Sequence, residues 1–297
     1  MRSLTVFAPA KINLYLHVTQ RLPNGYHALD SLVAFADIGD QITLEPSKTF
    51  AFHIEGPFAG AFQGRDIETA PHSTNLAVKA AWALARLTAE PLDVSMTLTK
   101  NLPLGAGIGG GSADAAAVLW ALHQWWSLPP AANYLPDLTK NLGADVPVCY
   151  ESRPRRMRGI GDILDDIPPL PEVPVVLVHP GKACSTPSVF GSFKGPFAPV
   201  EPVPASFETA ESFVSFLHHR RNDLEGAAKN IVPEIENVLK AIDAQKGVML
   251  ARMSGSGSTC FGLFEDEKTA HSAAQSIKEH NPDWWIKSGW LGRTERY

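Results

Sequence analysis

The chain has 297 residues, of which 44% are hydrophobic and 19% are charged, a composition typical of a globular protein with a substantial core. The formal net charge of −5 argues against bulk binding of nucleic acid, which usually shows as a basic excess. No apolar run approaches the roughly 18–20 residues that span a membrane, and the apolar start of the chain alternates like a strand, unlike a signal peptide. With three cysteines and no CxxC pair, we expect reduced thiols and a cytoplasmic protein.

The first half of the chain is predicted to contain both strands and helices, from apolar alternation and from apolar spacing of three to four residues. We expect the first strand region to break near Pro9. Ser73 or Thr74 is expected to cap the first helix, and Ser112 to cap the second. The Gly56–Pro71 segment is rich in glycine, alanine and proline and is predicted to be a loop. The strands cover residues 3–19, 41–54 and 92–99, and the helices cover residues 74–88, 112–126 and 133–142.

The composition changes beyond about residue 150. The basic segment Arg153–Asp162 is predicted to be a turn region, and a proline-rich segment follows at residues 167–174. This shift predicts a domain boundary, with one domain over residues 1–160 and another over 161–297. Strands and helices mix without strict alternation, which favours the α+β class. The second half is predicted to hold a strand at 175–179, helices at 208–219, 233–244 and 266–280, and a strand pair around 254–258.

The strongest functional signal is the segment Leu102–Ser112, between a predicted strand and a predicted helix. Glycines leave backbone N–H groups accessible and permit positive φ angles. The N-terminus of the following helix adds further N–H groups and the positive end of its dipole, so the segment suits phosphate binding. The glycines of this loop are Gly105, Gly107, Gly109, Gly110 and Gly111.

Three other interpretations of this glycine loop are weaker. A purely structural turn would leave the entropic cost of so many glycines without a use. A G-x-G-x-x-G spacing begins at Gly105, but a dinucleotide fold also needs an acidic residue about 20 positions later. None occurs between Asp114 and Asp137. A Walker A loop requires a lysine before the serine, where this chain has Gly111, so a different nucleotide-phosphate loop remains.

Three segments, Pro9–Leu14, Pro103–Ala113 and Ser254–Ser258, stand out together. In this order and at these distances they resemble the motifs of the galactokinase, homoserine kinase, mevalonate kinase and phosphomevalonate kinase superfamily. Two further segments, Asn24–His27 (Asn-Gly-Tyr-His) and Gly143–Pro147 (Gly-Ala-Asp-Val-Pro), narrow the resemblance to the 4-diphosphocytidyl-2-C-methyl-D-erythritol kinase family. The resemblance covers nearly the whole chain.

This resemblance implies two α+β lobes with an active site in the cleft between them, the N-terminal domain binding ATP. The reaction implied is ATP-dependent phosphorylation of the 2-hydroxyl of the cytidine-diphosphate-linked methylerythritol, in the non-mevalonate route to isoprenoid precursors. We expect Mg²⁺ to accompany ATP, because kinase chemistry generally uses it to neutralise phosphate oxygens. The partner would be this small molecule, and the protein a monomer or a weak homodimer.

The resemblance also implies catalytic roles for two residues. Asp145 would be the general base, and Lys11 would keep it ionised and offset charge growing on the transferred phosphoryl group. Asn13 would hydrogen-bond near the acceptor or the base. The alternatives are a turn residue for Asp145, a solvated surface lysine for Lys11 and an edge-strand amide for Asn13.

Substrate and ATP contacts are implied in the same way. Tyr26 and Phe190 would enclose the cytosine, His27 would bond its edge, and Thr186 is a weaker candidate for the same pocket. From sequence alone, Tyr26 and Phe190 could equally be packing residues. Residues 254–258 would close over the substrate or phosphate side, or form a flexible hairpin turn. The ATP site would comprise Asn75, Leu76, Lys100, Pro103, Gly105, Gly107, Gly109, Gly110, Gly111 and Ser112, with Ser112 also a candidate on the magnesium side.

Four arginines, Arg153, Arg155, Arg156 and Arg158, occupy a segment where related enzymes usually carry small and apolar residues. One of them could reach the substrate diphosphate, or the segment could be a solvated basic strand or loop. For the whole chain, the competing functions are a related kinase acting on homoserine or mevalonate, a non-catalytic nucleotide-binding module, and a dehydrogenase.

Overall fold

The computed structural model describes residues 3–129 and 134–293 of the chain. Among these residues, the strands are β1 (Leu4–Arg21), β2 (His27–Pro46), β3 (Ala51–Glu55), β4 (Val94–Thr99), β5 (Arg155–Gly159), β6 (Ile163–Asp165), β7 (Val173–His179), β8 (Val248–Met253), β9 (Cys260–Phe264) and β10 (Trp285–Leu291). The α-helices are α1 (Leu76–Thr88), α2 (Gly110–Trp125), α3 (Leu135–Leu142), α4 (Val146–Glu151), α5 (Thr186–Ser192), α6 (Ala210–His218), α7 (Glu225–Ile231), α8 (Glu234–Asp243) and α9 (Glu267–His280).

A long antiparallel hairpin, β1 with β2, organises the sheet. Its turn contains Asn24 and Gly25, which has a φ of 86°, and the Asn24 side chain accepts a hydrogen bond from the Tyr26 N–H at 3.1 Å. Strand β2 is 20 residues long, so different parts of it also pair with β4, β5 and β10. The pairing with β10 joins the hairpin to β7, β9 and β8 in the order β3-β4-β2-β10-β7-β9-β8.

Helices cover the sheet in two groups, which produces separate hydrophobic clusters. Helices α1 and α2 pack over the N-terminal strands, and α2 is alanine-rich on its buried positions, which permits close approach to its neighbours. Helices α7, α8 and α9 pack with β7, β8 and β9 in the C-terminal half. The predicted α+β class is confirmed. Within residues 3–129 and 134–293, every helix is too short or too polar to traverse a bilayer.

Several predicted boundaries were wrong. Strand β1 runs through Pro9 instead of breaking there, because a register shift between Pro9 and Lys11 accommodates a residue that has no N–H to donate. The Gly56–Pro71 segment is a loop as predicted, with two short 3₁₀ turns at residues 59–61 and 64–66. The basic segment predicted to be a turn region contains strand β5, since five of its residues pair with β2.

Both predicted helix caps were also wrong. Helix α1 is capped by Asn75, whose Oδ1 accepts a hydrogen bond from the Ala77 N–H at 2.9 Å. Helix α2 starts at Gly110, two residues before Ser112, with Gly109 as a left-handed N-cap. Helix α3 begins at Leu135, and residue 133 of the predicted helix lies outside the described residues.

Candidate active site

A cleft of about 1450 Å³ opens where the glycine loop meets the hairpin and α5. The sequence-predicted site residues come from six separate segments of the chain, and the structure brings all of them to the wall of this one cleft. Those residues are Lys11, Asn13, Tyr26, His27, Asn75, Leu76, Lys100, Pro103, Gly105, Gly107, Gly109, Gly110, Gly111, Ser112, Asp145, Thr186 and Phe190.

Lys11 and Asp145 form an ion pair at the centre of the cleft. The Lys11 Nζ lies 2.9 Å from Asp145 Oδ2, with the lysine side chain 5% exposed and the aspartate side chain 35% exposed. Lys11 also donates to Asn13 Oδ1 at 3.0 Å. Asp145 stands at the N-cap position of α4 without capping that helix by its side chain. Its carboxylate is therefore held by the ammonium group while still facing solvent in the cleft.

The glycine loop packs directly against this pair. A Cβ atom built on Gly109, whose φ is 65°, would lie 3.1 Å from both Cβ and Cε of Lys11. Because α2 begins at Gly110, the N–H groups of its first turn have no partner within the helix. These N–H groups, with the positive end of the helix dipole, lie next to Lys11 and have the chemistry that suits an anion.

The glycine loop also touches the loop at residues 254–258. Gly107 has a φ of 73°, and a Cβ there would lie 2.6 Å from the carbonyl oxygens of both Ser254 and Gly257. The Thr259 N–H donates to the Ala106 carbonyl at 3.0 Å. The two glycine motifs are therefore in backbone contact, and only glycine at position 107 allows this approach.

Lys100 is held beneath the glycine loop by two buried carboxylates. Its Nζ lies 2.5 Å from Asp40 Oδ2 and 2.7 Å from Asp114 Oδ2. Asp40 Oδ1 also accepts hydrogen bonds from the N–H groups of Asn101 and Leu102, which fixes the start of the loop. Burial, opposed by the Lys100 charge and reinforced by Asp40, raises the pKa of Asp114 to about 8. The Lys100 ammonium is thus committed to protein partners.

The predicted base pocket contains a different ring pair from the one implied by the sequence. The imidazole of His27 stacks on Phe190, with ring centroids 5.5 Å apart and an interplanar angle of 25°. Phe193 contacts His27 edge-on, with centroids 6.0 Å apart. Tyr26 is 62% exposed at the rim. Burial, with the nearby Arg21 charge, lowers the pKa of His27, which favours a neutral imidazole.

Helix α5 is tied to the loop at residues 254–258. Thr186, the first residue of this helix, has its Oγ1 2.7 Å from Ser256 Oγ, so one of the two hydroxyls donates to the other. This contact joins α5 to the loop that packs on the glycine loop, and both residues border the cleft.

Carboxylates engage all four arginines of the basic segment. Arg156 makes a bidentate pair with Asp30, with both N···O distances 2.7 Å. Arg153 and Arg155 each contact Glu151 and Asp166, and Arg158 contacts Asp165. None of the four is among the described residues that border the cleft. The structure therefore favours the interpretation of a basic strand over a contact with a substrate diphosphate.

Sequence reasoning missed many residues that also border the cleft, among them Arg21, Ser31, Phe193 and Lys194. Arg21 ends β1 and precedes the Asn24-Gly25 turn, so its place beside His27 could have been inferred from the hairpin. The other three carry no motif, and only the packing of distant segments brings them to the site.

Comparison with known proteins decides the family. The protein called 4-diphosphocytidyl-2-C-methyl-D-erythritol kinase from Paramagnetospirillum magneticum is 43% identical over 286 residues, which cover 96% of this chain and 98% of that protein. The protein of the same name from Paracoccus denitrificans is 46% identical over 285 residues, covering 96% and 95%. The chain belongs to the 4-diphosphocytidyl-2-C-methyl-D-erythritol kinase family. The resemblance drawn from its motifs is confirmed.

Family models and solved structures agree with this membership. The GHMP kinases N terminal domain matches residues 75–153, and the GHMP kinases C terminal model matches residues 206–283. A crystal structure of 4-(cytidine 5'-diphospho)-2C-methyl-D-erythritol kinase has a TM-score of 0.79 at 35% identity, covering 98% of this chain and all of that one. Homoserine kinase from Cytophaga hutchinsonii shares the fold, with a TM-score of 0.67 at 17% identity and coverage of 98% and 94%.

Proposed function

We propose that this member of the 4-diphosphocytidyl-2-C-methyl-D-erythritol kinase family transfers the γ-phosphoryl group of ATP to the 2-hydroxyl of 4-diphosphocytidyl-2-C-methyl-D-erythritol. The product would enter the non-mevalonate route to isoprenoid precursors. The observation that carries the proposal is the Lys11–Asp145 pair, 2.9 Å apart, packed against the glycine loop at the N-terminus of α2. A base, a cation and an anion site then stand together, as phosphoryl transfer requires.

In the proposed reaction, Asp145 orients the acceptor hydroxyl and accepts its proton. The acceptor oxygen bonds to the γ-phosphorus while the bond from that phosphorus to the β–γ bridging oxygen breaks, which releases ADP. Lys11 lies between the base and the anion site, so its charge stabilises the phosphoryl oxygens in the transition state. The partial exposure of Asp145 supports this role, because the substrate must reach its carboxylate from the cleft.

We assign the ATP phosphates to the N–H groups of Gly109–Ser112 and the preceding loop, with Asn75 and Leu76 toward the adenine. Mg²⁺, when bound, would neutralise the phosphate oxygens. Among the described residues no group of three or more His, Cys, Asp and Glu could hold a metal ion. An ion held mainly by ATP phosphates and water would need few protein ligands, and the Ser112 hydroxyl is the candidate protein oxygen.

The cytidine end of the substrate is assigned to the aromatic pocket. His27 and Phe190 offer a planar slot, and exposed Tyr26 lies at its rim, where it can turn onto a bound base. A neutral His27 can donate or accept a hydrogen bond at the edge of the base. Homoserine and mevalonate carry no base, so this pocket supports the cytidine-linked substrate over them.

We further propose that residues 1–160 form the ATP-binding lobe and residues 161–297 the substrate-side lobe. The glycine loop lies in the first and helix α5 in the second. The need for ATP and the three free, buried cysteines support a cytoplasmic location.

The test is an ADP-release assay on the purified full chain with the cytidine-linked substrate, homoserine and mevalonate in parallel. Asp145→Asn should lower kcat by about 10²- to 10⁴-fold, because the proton acceptor is lost. Its KM for ATP should stay within about twofold of the wild-type value. Asp137→Asn, an exposed residue of α3, is the matched control and should leave kcat unchanged.

Turnover of homoserine or mevalonate but not of the cytidine-linked substrate would overturn the substrate assignment. ATP binding without turnover of any alcohol would indicate a nucleotide-binding module. A near-normal kcat for Asp145→Asn would remove that residue as the base.

A further inference from the structure

Asn13 is buried in a hydrogen-bond network that uses both ends of its side chain. It is 4% exposed, and its Oδ1 accepts from Lys11 Nζ at 3.0 Å. Its Nδ2 donates to Ser31 Oγ at 2.8 Å. Its backbone N–H donates to Ser254 Oγ at 3.0 Å. The side chain therefore connects the Lys11–Asp145 pair to a serine on the neighbouring strand.

The Ser31 hydroxyl has a defined direction. Its Oγ donates to the Tyr15 carbonyl at 2.5 Å, so the only hydroxyl proton is already used. The side of Oγ that faces Asn13 can then only accept a hydrogen bond. An ammonium group can only donate, so the amide must present Nδ2 to Ser31 and Oδ1 to Lys11. Ser31 is 1% exposed, and water does not compete for this arrangement.

The strand register places Ser31 where its hydroxyl can orient the Asn13 amide. A register shift in the β1–β2 pairing falls between Asn13 and Tyr15, and Ser31 is the partner of Leu16 just beyond it. The Tyr15 hydroxyl donates to Asp30 Oδ1 at 3.2 Å, and Arg156 holds that carboxylate from the other side. Buried contacts thus fix Tyr15, whose carbonyl accepts the Ser31 proton, and Asp30, which precedes Ser31 in the chain.

We propose that Ser31 is a positioning residue for phosphoryl transfer, acting through the amide of Asn13 to hold the Lys11 ammonium beside Asp145. Without the hydroxyl, Nδ2 of Asn13 is buried with no acceptor, and the amide can rotate until a donor faces the ammonium. Lys11 then loses one of the two oxygens that hold it. This inference rests on the proposed function, since it assumes that Lys11 and Asp145 carry the reaction.

The test is a double-mutant cycle on the full chain, with kcat and both KM values measured by ADP release. Ser31→Ala should lower kcat about tenfold and leave the KM for ATP within twofold, because the ATP site is untouched. In an Asn13→Ala background, Ser31→Ala should have no further effect on kcat, since there is no amide left to orient. Thr139→Val removes another buried hydroxyl that donates to a carbonyl, in α3, and should leave kcat unchanged.

Unchanged kcat in Ser31→Ala would overturn the inference. A double variant whose loss of kcat equals the product of the two single losses would also overturn it. If Ser31→Ala does not fold, the same cycle is run with Ser31→Cys, whose sulfur is a weaker acceptor. Ser31→Cys should have a higher kcat than Asn13→Ala. Unchanged kcat in Ser31→Cys, or losses that multiply in the double variant, would again overturn the inference. A failure of the proposed function shows separately, as absent wild-type turnover or full activity in Asp145→Asn.

Discussion

Gly107→Ala tests the contact between the two glycine motifs. A left-handed backbone conformation costs a residue with a Cβ about 1–2 kcal/mol, and Gly107 has a φ of 73°. The new Cβ would also lie 2.6 Å from two backbone carbonyl oxygens, well inside the 3.4 Å at which ordinary contact begins. Overpacking of this kind costs about 1–3 kcal/mol. Together these effects predict a loss of about 2–5 kcal/mol in the free energy of unfolding.

Urea unfolding followed by the fluorescence of the seven tryptophans measures this loss. We also expect the KM for ATP to rise in Gly107→Ala, because separating residues 254–258 from the glycine loop disturbs the anion site. Gly226→Ala in α7 is the control, since its Cβ would meet nothing within 4 Å and alanine favours a helix. A loss below about 1 kcal/mol in Gly107→Ala, or an equal loss in Gly226→Ala, would refute the steric reasoning.

The remaining predictions concern buried ionisable side chains. Lys100→Met should lower the free energy of unfolding by about 3–5 kcal/mol, because the buried Asp40 carboxylate loses its cation and Asp114 loses a hydrogen-bond donor; a loss under 1 kcal/mol in urea unfolding would contradict this. Arg156→Ala should cost a similar amount by uncovering Asp30, whereas Arg153→Ala, at 55% side-chain exposure, should be near neutral. Equal effects of the two arginines would show that the buried pair is unimportant. Burial lowers the pKa of His179 to about 4. The unfolded chain therefore binds more protons, and stability should be present above pH 6.5 and fall by roughly 3 kcal/mol toward pH 4. His179→Asn should flatten this part of the profile, and an unchanged slope would exclude His179 as its source.

The segments that the structure brings to the cleft carry signals that are short and local. The glycine loop, the Asn24-Gly25 turn and the Gly143–Pro147 segment are each readable within about ten residues, and each lies at the cleft. Element boundaries were less reliable. Gly109 could be preferred to Ser112 as the cap of α2 only after the loop was packed on Lys11.

The role of Lys100 shows why some contacts could not be predicted. The resemblance implied an ATP contact for Lys100, and in the structure its ammonium pairs with Asp40, 60 residues earlier in the chain. The arginine cluster is similar, because Arg156 meets Asp30 across 126 residues. Such pairings depend on strand register, which a sequence specifies only through the summed burial of many side chains.

The sequence by itself determined the family, the α+β class, the glycine loop that suits phosphate, and the group of residues that meet at the cleft. The α+β class and the loop follow from apolar periodicity and glycine conformational freedom, which act locally along the chain. The family and the group of site residues follow from the resemblance of the short motifs to those of known kinases. Only the tertiary structure decided which charges neutralise one another, how Ser31 orients Asn13, and why position 107 must be glycine. Each of these depends on distances between segments far apart in sequence, and those distances arise only when the sheet pairs and its two groups of helices pack.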